Sequence, residues 1–184
     1  MSFRVNFVKP LISIVLIVSM SAAGTVCAQT AAAPLPCEDD ERFAAFDFWV
    51  GEWDVHGPKG NLAGSNTITS EHGSCVLVED YHTPSGFTGM SINYLDHATG
   101  EWVQIWSDNS GSQINIRGGM TDDGMLMVGT IHYISTGATE KFRALWTLLD
   151  DGRVRQFFEQ FDKESQEWKT WFEGFYTRKS AGKG

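Results

Sequence analysis

Hydrophobic and polar residues alternate along most of this chain, from Trp49 to Arg178. Successive residues of a strand point to opposite faces of a sheet, so this alternation predicts β-structure. Turns such as Asp122-Asp123-Gly124 and Asp150-Asp151-Gly152 separate the alternating runs, and their glycines accept the positive φ that tight hairpin turns require. The pattern predicts ten strands, over residues 49–56, 62–70, 75–82, 87–95, 101–107, 112–118, 125–134, 139–148, 153–161 and 167–178.

The connections between these strands are too short to carry a crossover helix, so the sheet is predicted to be an antiparallel meander. Closure of the sheet removes its exposed edges. The predicted fold class is therefore all-β, a single closed antiparallel meander barrel of about ten strands with a short N-terminal helix. That helix is predicted over Asp39–Phe48, with Phe43 and Phe46 covering one end of the barrel. A barrel of this size is either filled by side chains or holds one small cavity.

The N-terminal segment has the pattern of a secretory signal peptide. Arg4 and Lys9 precede an apolar run over Leu11–Met20, and small residues in Val26-Cys27-Ala28 predict cleavage before Gln29. A lipoprotein anchored at Cys27 is the alternative. The protein is accordingly predicted to be periplasmic or secreted.

The predicted organisation is a signal peptide over residues 1–28, a linker over 29–38 and a barrel domain over 39–184. The chain has a formal net charge of −9, and loss of Arg4 and Lys9 with the leader makes it more acidic. Because an acidic chain repels phosphate groups, neither nucleic acid nor an anionic membrane surface is an expected partner. No later segment is apolar enough to span a bilayer, so no membrane insertion is expected after cleavage. No oligomeric state is predicted.

Cysteine usage agrees with export. Cys27 leaves with the leader, and Cys37 and Cys75 remain. A pair of cysteines in an oxidising compartment often forms a disulfide, which here would join the N-terminal arm to the barrel. Two unrelated thiols are the alternative.

The sequence around the first strand resembles a known superfamily. Gly51-x-Trp53 after a short helix, followed by a ten-strand meander and Arg178 near its end, is similar to the calycins, which include lipocalins, fatty-acid-binding proteins and nitrobindin-like barrels. This resemblance implies that Trp53 closes one end of the barrel and that Arg178 packs across it. Residues 46–54, 152–160 and 169–178 more narrowly resemble a family of uncharacterised bacterial exported proteins, the DUF1579-like group. That family brings a fold and no known reaction.

Aromatic residues are abundant, with 7 Trp and 12 Phe. An aromatic wall with a few polar groups suits a flat apolar ligand, although core packing explains many such residues. Arg143, three residues from Trp146, is a candidate anchor for a ligand carboxylate. Both faces of the strand predicted over residues 153–161 combine apolar and polar side chains, so the pattern does not decide which face points into the barrel. The predicted ligand-binding residues are Tyr94, Trp106, Arg143, Trp146, Gln156 and Glu159.

Metal and haem sites are not predicted. Asp80 and His82 share a strand face and would supply only half of a zinc site. His132 would be a haem ligand in a nitrobindin-like barrel, but the C-terminal strands contain no histidine for the proximal position. The chain also lacks a nucleophile elbow and a phosphate loop. No cofactor is therefore expected.

The leading functional hypothesis is a cofactor-free barrel that binds a small apolar or aromatic molecule. The alternative is an isomerase, cyclase or hydrolase of the same fold, using Arg143 and a buried acid–base residue such as Glu79 or Glu159. A third hypothesis is an envelope interaction module without a ligand, which would expose a wide apolar patch.

Overall fold

A computed structural model describes residues 36–179, so the predicted signal peptide and most of the predicted linker lie outside the described residues. Within this range, no helix is long and apolar enough to cross a membrane. The ten strands are β1 (Gly51–His56), β2 (Leu62–Glu71), β3 (Val76–His82), β4 (Thr88–Asp96), β5 (Glu101–Asp108), β6 (Ser112–Thr121), β7 (Gly124–Tyr133), β8 (Thr139–Leu148), β9 (Val154–Asp162) and β10 (Glu167–Arg178).

The strands form one closed antiparallel barrel in sequence order, which confirms the predicted fold class. Each strand pairs with the next along the chain, and β1 closes the barrel against β10 with Trp53 opposite Arg178. The observed strands begin and end within a few residues of the predicted ones, because the glycine turns limit where each alternating run can extend. Closure leaves no unpaired edge in the meander.

The N-terminal segment differs from the prediction. In place of one helix over Asp39–Phe48 there is a single α-helical turn, α1 (Pro36–Asp39), and then a 3₁₀ helix (Phe43–Trp49). The last residues assigned to the linker therefore belong to the folded part. A disulfide joins Cys37 to Cys75, immediately before β3, with an S–S distance of 2.00 Å. The buried Cys37 anchors this arm to the barrel.

The 3₁₀ helix closes one end of the barrel, which we call the plugged end. Its Phe46 stacks on Trp49 with ring centroids 4.9 Å apart and meets the edge of Trp146 at 5.2 Å. Trp53 donates a hydrogen bond from Nε1 to the backbone oxygen of Trp49 at 2.9 Å. All four side chains are fully buried, so this end of the lumen is filled.

Arg178 covers Trp53 at the plugged end. Its guanidinium carbon lies 4.3 Å from the centre of the indole, and Nη1 donates to the backbone oxygen of Val50 at 3.0 Å. A Cβ atom at Gly51 would lie 2.3 Å from that Nη1, so a side chain at this position would displace the arginine. Gly51, Trp53 and Arg178 thus have the arrangement that the calycin resemblance implies.

Candidate ligand-binding site

Buried polar side chains form a belt across the middle of the lumen. Six side chains face inward at positions that would be apolar in an ordinary core, and each is at most 4% exposed. They come from strands β2, β3, β4, β5 and β9, so the belt is assembled from several strands of the barrel. Together with Tyr176 of β10, we call them the polar belt: Asn66, Glu79, Ser91, Asn93, Gln104 and Gln156.

Glu79 is the acceptor at the centre of the belt. Its Oε1 accepts a hydrogen bond from Asn66 Nδ2 at 2.7 Å, and its Oε2 accepts one from Ser91 Oγ at 2.6 Å. Asn93 Nδ2 donates to the Ser91 hydroxyl at 2.9 Å, and Gln104 Nε2 donates to Asn93 Oδ1 at 2.9 Å. The donors of this half of the belt are therefore directed toward the carboxylate.

Tyr176 extends the belt to the opposite wall. Its hydroxyl donates to Gln156 Oε1 and accepts a hydrogen bond from Asn66 Nδ2 at 3.3 Å. Its ring meets Trp53 edge-on, with centroids 6.2 Å apart. The belt thus rests directly on the side chains of the plugged end.

A cavity of about 270 Å³ lies on the other side of the belt. Glu79, Gln104, Gln156 and Tyr176 form its polar floor. Its aromatic wall consists of Tyr81, Phe87, Trp106, Phe158, Trp171 and Phe172. Thr83 and Phe87, which flank the turn after β3, place the mouth at the end opposite the 3₁₀ helix.

The cavity exceeds the ~150 Å³ of an engineered apolar cavity that binds benzene. Its size therefore suits one small organic molecule. The polar floor and aromatic wall together match the usual composition of small-molecule pockets, which are mainly apolar with a few fixed polar atoms.

Gly89 keeps part of this space open. A Cβ atom there would lie 2.1 Å from Cζ2 of Trp106, so the indole can lie flat against the barrel wall only because position 89 has no side chain. Trp106 is held in that orientation by a hydrogen bond from its Nε1 to Asp108 Oδ2 at 3.1 Å. Gly89 and Asp108 therefore together fix the position of Trp106 in the aromatic wall.

Glu79 is electrostatically unusual because it is buried without a cation. Burial raises its pKa from 4.5 to about 7, and the Asp80 carboxylate adds to this, while hydrogen bonds from Ser91 and Asn66 oppose it. No Lys, Arg or His is found among the described residues that line the cavity. Burial, and secondarily the charge of Glu79, also raises the pKa values of Tyr81 and Tyr176.

The structure places three of the predicted ligand-binding residues inside the barrel. Trp106 and Gln156 line the cavity. Trp146 also points inward, but it packs against Phe46 and Trp49 at the plugged end and is not part of the cavity lining. Inward orientation alone therefore does not place a residue in the site.

The expected lumenal position of the other three residues is wrong. Tyr94 is 37% exposed on the outer face of β4. Arg143 and Glu159 lie on the outer face of β8 and β9, where Arg143 Nε is 2.6 Å from Glu159 Oε2 and its guanidinium carbon lies 4.4 Å from the ring centre of Trp168. Residues an odd number of positions apart face opposite sides of a regular strand, so Arg143 cannot share a face with Trp146.

Strand β4 shows why the sequence pattern misled at Tyr94. Its apolar residues Met90, Ile92 and Tyr94 face outward and are partly exposed, whereas Ser91 and Asn93 face inward and are buried. The lumen is polar at this level, so the usual inward orientation of apolar residues is reversed. The small polar residues at positions 91 and 93, which share a strand face with Gly89 and Leu95, were the available signal for the belt.

The remaining belt and wall residues escaped sequence analysis for a related reason. The sequence predicts Glu79 only as a candidate acid–base residue and does not identify Asn66, Ser91 or Tyr176. They lie on four different strands, and only barrel closure brings them together. Phe158 and Phe172 likewise meet at the cavity through the pairing of β9 with β10.

Histidines and metal ligands contribute nothing to this site. His82 Nε2 lies 2.9 Å from Asp80 Oδ1 on the exposed outer face, and His132 Nδ1 lies 2.8 Å from Thr139 Oγ1. Across residues 36–179, no group of three or more His, Cys, Asp or Glu is arranged to hold a metal ion.

Comparison of the chain with protein families and with curated proteins finds no match in either case. The closed ten-stranded antiparallel barrel is compatible with a calycin-like fold. The function must therefore be inferred from the cavity itself.

Proposed function

We propose that this protein is an exported calycin-like barrel that binds one small apolar or aromatic molecule in its lumen. The observation that carries this proposal is the cavity of about 270 Å³, with an aromatic wall and a floor of buried polar groups. The ligand body would lie between Trp106, Phe158 and Phe172. Its polar end would reach the floor, where Glu79, Gln104 and Gln156 supply hydrogen-bonding groups.

Export is supported by the disulfide between Cys37 and Cys75, a bond typical of oxidising compartments. We infer a periplasmic or secreted protein whose mature chain begins at Gln29. N-terminal sequencing of protein recovered from the periplasm or the medium tests this inference. Recovery of an uncleaved chain from the cytoplasm would contradict it.

Ligand binding is tested first by native mass spectrometry of protein purified from its own compartment, which would detect a co-purified small molecule. A second test is isothermal titration calorimetry with propylbenzene, a neutral apolar probe that fits the cavity. Ile114→Phe adds a ring inside the cavity and should abolish binding. Ile105→Phe is the matched control, since Ile105 is 42% exposed on the outer face of the neighbouring strand. Equal binding by both variants would refute the lumenal site.

A second candidate function is acid–base catalysis on a small apolar substrate. It is favoured by Glu79, a buried carboxyl in the cavity floor with a pKa raised to about 7, a suitable value for a general base. Arg143 has no part in this version, because it lies on the outer face. Glu79 would remove a proton from a carbon beside a carbonyl group, forming an enolate and a neutral carboxylic acid, and then return a proton.

Deuterium exchange tests this second function directly. Phenylacetone incubated in D₂O would exchange its α-hydrogens faster with the native protein than with Glu79→Gln, as followed by proton NMR. Glu159→Gln, on the outer face, should retain any acceleration. If phenylacetone exchanges no faster with the native protein than in buffer alone, the acid–base hypothesis is contradicted.

A further inference from the structure

We propose that the ligand of this cavity carries a positively charged amine, with its ammonium group between the Glu79 carboxylate and the aromatic wall. This inference rests on the proposed binding function and specifies the chemical class of the ligand. It follows from an imbalance between hydrogen-bond donors and acceptors at the floor of the cavity.

The carboxylate has unused capacity. Each oxygen of Glu79 accepts one hydrogen bond, from Asn66 and from Ser91, whereas an ionised carboxylate has about four acceptor sites. Both donors are neutral, so the hydrogen bonds leave its charge without a counterion. A buried carboxylate is costly to ionise unless a cation accompanies it, and the described lining residues supply none.

The polar belt also contains one buried acceptor atom without a donor. Asn66 Oδ1 is buried and has no hydrogen-bond partner, although Asn66 itself is 1% exposed and its nitrogen serves two acceptors. Buried polar atoms are nearly always paired in folded proteins. Asn66 lies behind the floor and does not line the cavity, so the acceptor sites within reach of a ligand are those of Glu79. An ammonium group has three N–H donors and no acceptor, so it complements the unused acceptor sites of this carboxylate.

The wall above the floor also favours a cation. The rings of Tyr81 and Trp106 have centroids 6.5 Å apart, and those of Tyr81 and Phe87 are 6.3 Å apart. Electron-rich ring faces attract cations, most strongly where water is excluded. The same surfaces repel a carboxylate ligand, and the net charge of −9 attracts cations to the molecule as a whole.

Charge pairing makes binding depend on pH. The titratable groups around Glu79 are Tyr81 on its own strand, Tyr176 on β10 and the outward-facing Asp80, while its other neighbours, Asn66 and Ser91, do not titrate. Burial keeps both tyrosines neutral, with pKa values raised above 10. Below about pH 7 the carboxyl of Glu79 must lose a proton before it can pair with an ammonium. The affinity should therefore fall about tenfold per pH unit below that point.

Three nearly isosteric probes test the proposal by calorimetry at about pH 8: 2-phenylethylammonium, neutral propylbenzene and anionic 3-phenylpropanoate. We expect the ammonium to bind at least about tenfold more tightly than propylbenzene, and the carboxylate to bind most weakly. Glu79→Gln should remove the preference for the ammonium while propylbenzene still binds. Glu159→Gln is the matched control and should retain the preference.

The outcomes separate the two proposals. Binding of propylbenzene without a preference for the ammonium would overturn the amine inference and leave the binding function intact. Failure of all three probes to bind would count against both. The pH profile of the native protein needs no variant, so the inference stays testable even if Glu79→Gln does not fold, and an affinity for the ammonium independent of pH between about 5 and 8 would overturn it.

Discussion

The two ends of the lumen are built from similar residues and differ in what those residues do. At the plugged end Phe46, Trp49 and Trp146 contact one another and exclude all solvent. At the open end Trp106 and Phe158 line a cavity of about 270 Å³. The polar belt lies between the two ends.

This contrast shows that aromatic content alone does not identify a binding site. What separates the two ends is the 3₁₀ helix, which inserts Phe46 and Trp49 into one end and has no counterpart at the other within residues 36–179. An aromatic ring at the plugged end contributes stability through packing, while one at the open end presents its face to a ligand. Substitutions at the two ends should therefore separate stability from binding.

The largest effect is expected from paired tryptophan substitutions. Trp53→Ala removes a fully buried indole and the surface on which Arg178 packs, and should lower the free energy of unfolding by about 4 kcal/mol. Trp106→Ala enlarges an existing cavity, and we expect a loss of only about 1–2 kcal/mol. Urea unfolding followed by tryptophan fluorescence measures both.

The effects of the two substitutions on ligand binding should have the opposite order to their effects on stability. Trp106→Ala is expected to weaken the binding of propylbenzene, because it removes part of the wall, while folded Trp53→Ala should bind it normally. Equal destabilisation by the two substitutions would show that the open end is packed as tightly as the plugged end.

Removal of the disulfide is the next test. The bond closes a loop between positions 38 residues apart, and its loss in the double variant Cys37→Ser/Cys75→Ser should cost about 3–4 kcal/mol, since the unfolded chain gains freedom. Thermal unfolding with and without reductant measures this effect. The arm lies at the plugged end, so probe binding at temperatures below unfolding should be unchanged. A loss of binding in the folded double variant would show that the two ends are coupled.

Glu79 predicts a dependence of stability on pH. Its pKa is about 7 in the folded protein and near 4.5 when unfolded, so the folded state holds more protons between these values. The free energy of unfolding should therefore fall as pH rises from about 4.5 to 7, by about 3 kcal/mol for this group.

Glu79→Gln lacks this titration, so its stability relative to the native protein should improve by about the same amount across that window. Urea unfolding at both pH values gives the comparison. The aspartates with lowered pKa values, such as Asp151 and Asp162, occur in both proteins and cancel. A constant difference between variant and native protein would mean that Glu79 is ionised throughout.

The sequence predicted the barrel well because closure follows from local features. Alternation and glycine turns set the strand limits, and the absence of crossover helices left only a meander. The Gly51, Trp53 and Arg178 arrangement came from resemblance, and the disulfide from the export signal and the number of cysteines.

The site was harder to predict because it depends on which face turns inward. Strand β4 directs Ser91 and Asn93 into the lumen and leaves Ile92 44% exposed, against the usual hydrophobic pattern. In β8 the spacing alone was decisive, since Arg143 and Trp146 cannot share a face. The short N-terminal helix was predicted as one element over Asp39–Phe48, whereas a turn after Asp39 separates α1 from the 3₁₀ helix.

The smallest effect is expected from Arg143→Gln, which tests the assignment of Arg143 to the outer face of the barrel. Arg143 pairs with Glu159 on the outer face, and its side chain is 38% exposed, so solvent screens the pair and its loss should cost less than about 1 kcal/mol. The affinity for 2-phenylethylammonium and propylbenzene should not change, in contrast to the effect of Glu79→Gln on the ammonium alone. Urea unfolding and calorimetry on the same preparation measure both quantities. A large loss of affinity for both probes would place the binding site on the outer face around Arg143, and the lumen would then be only the core of the barrel.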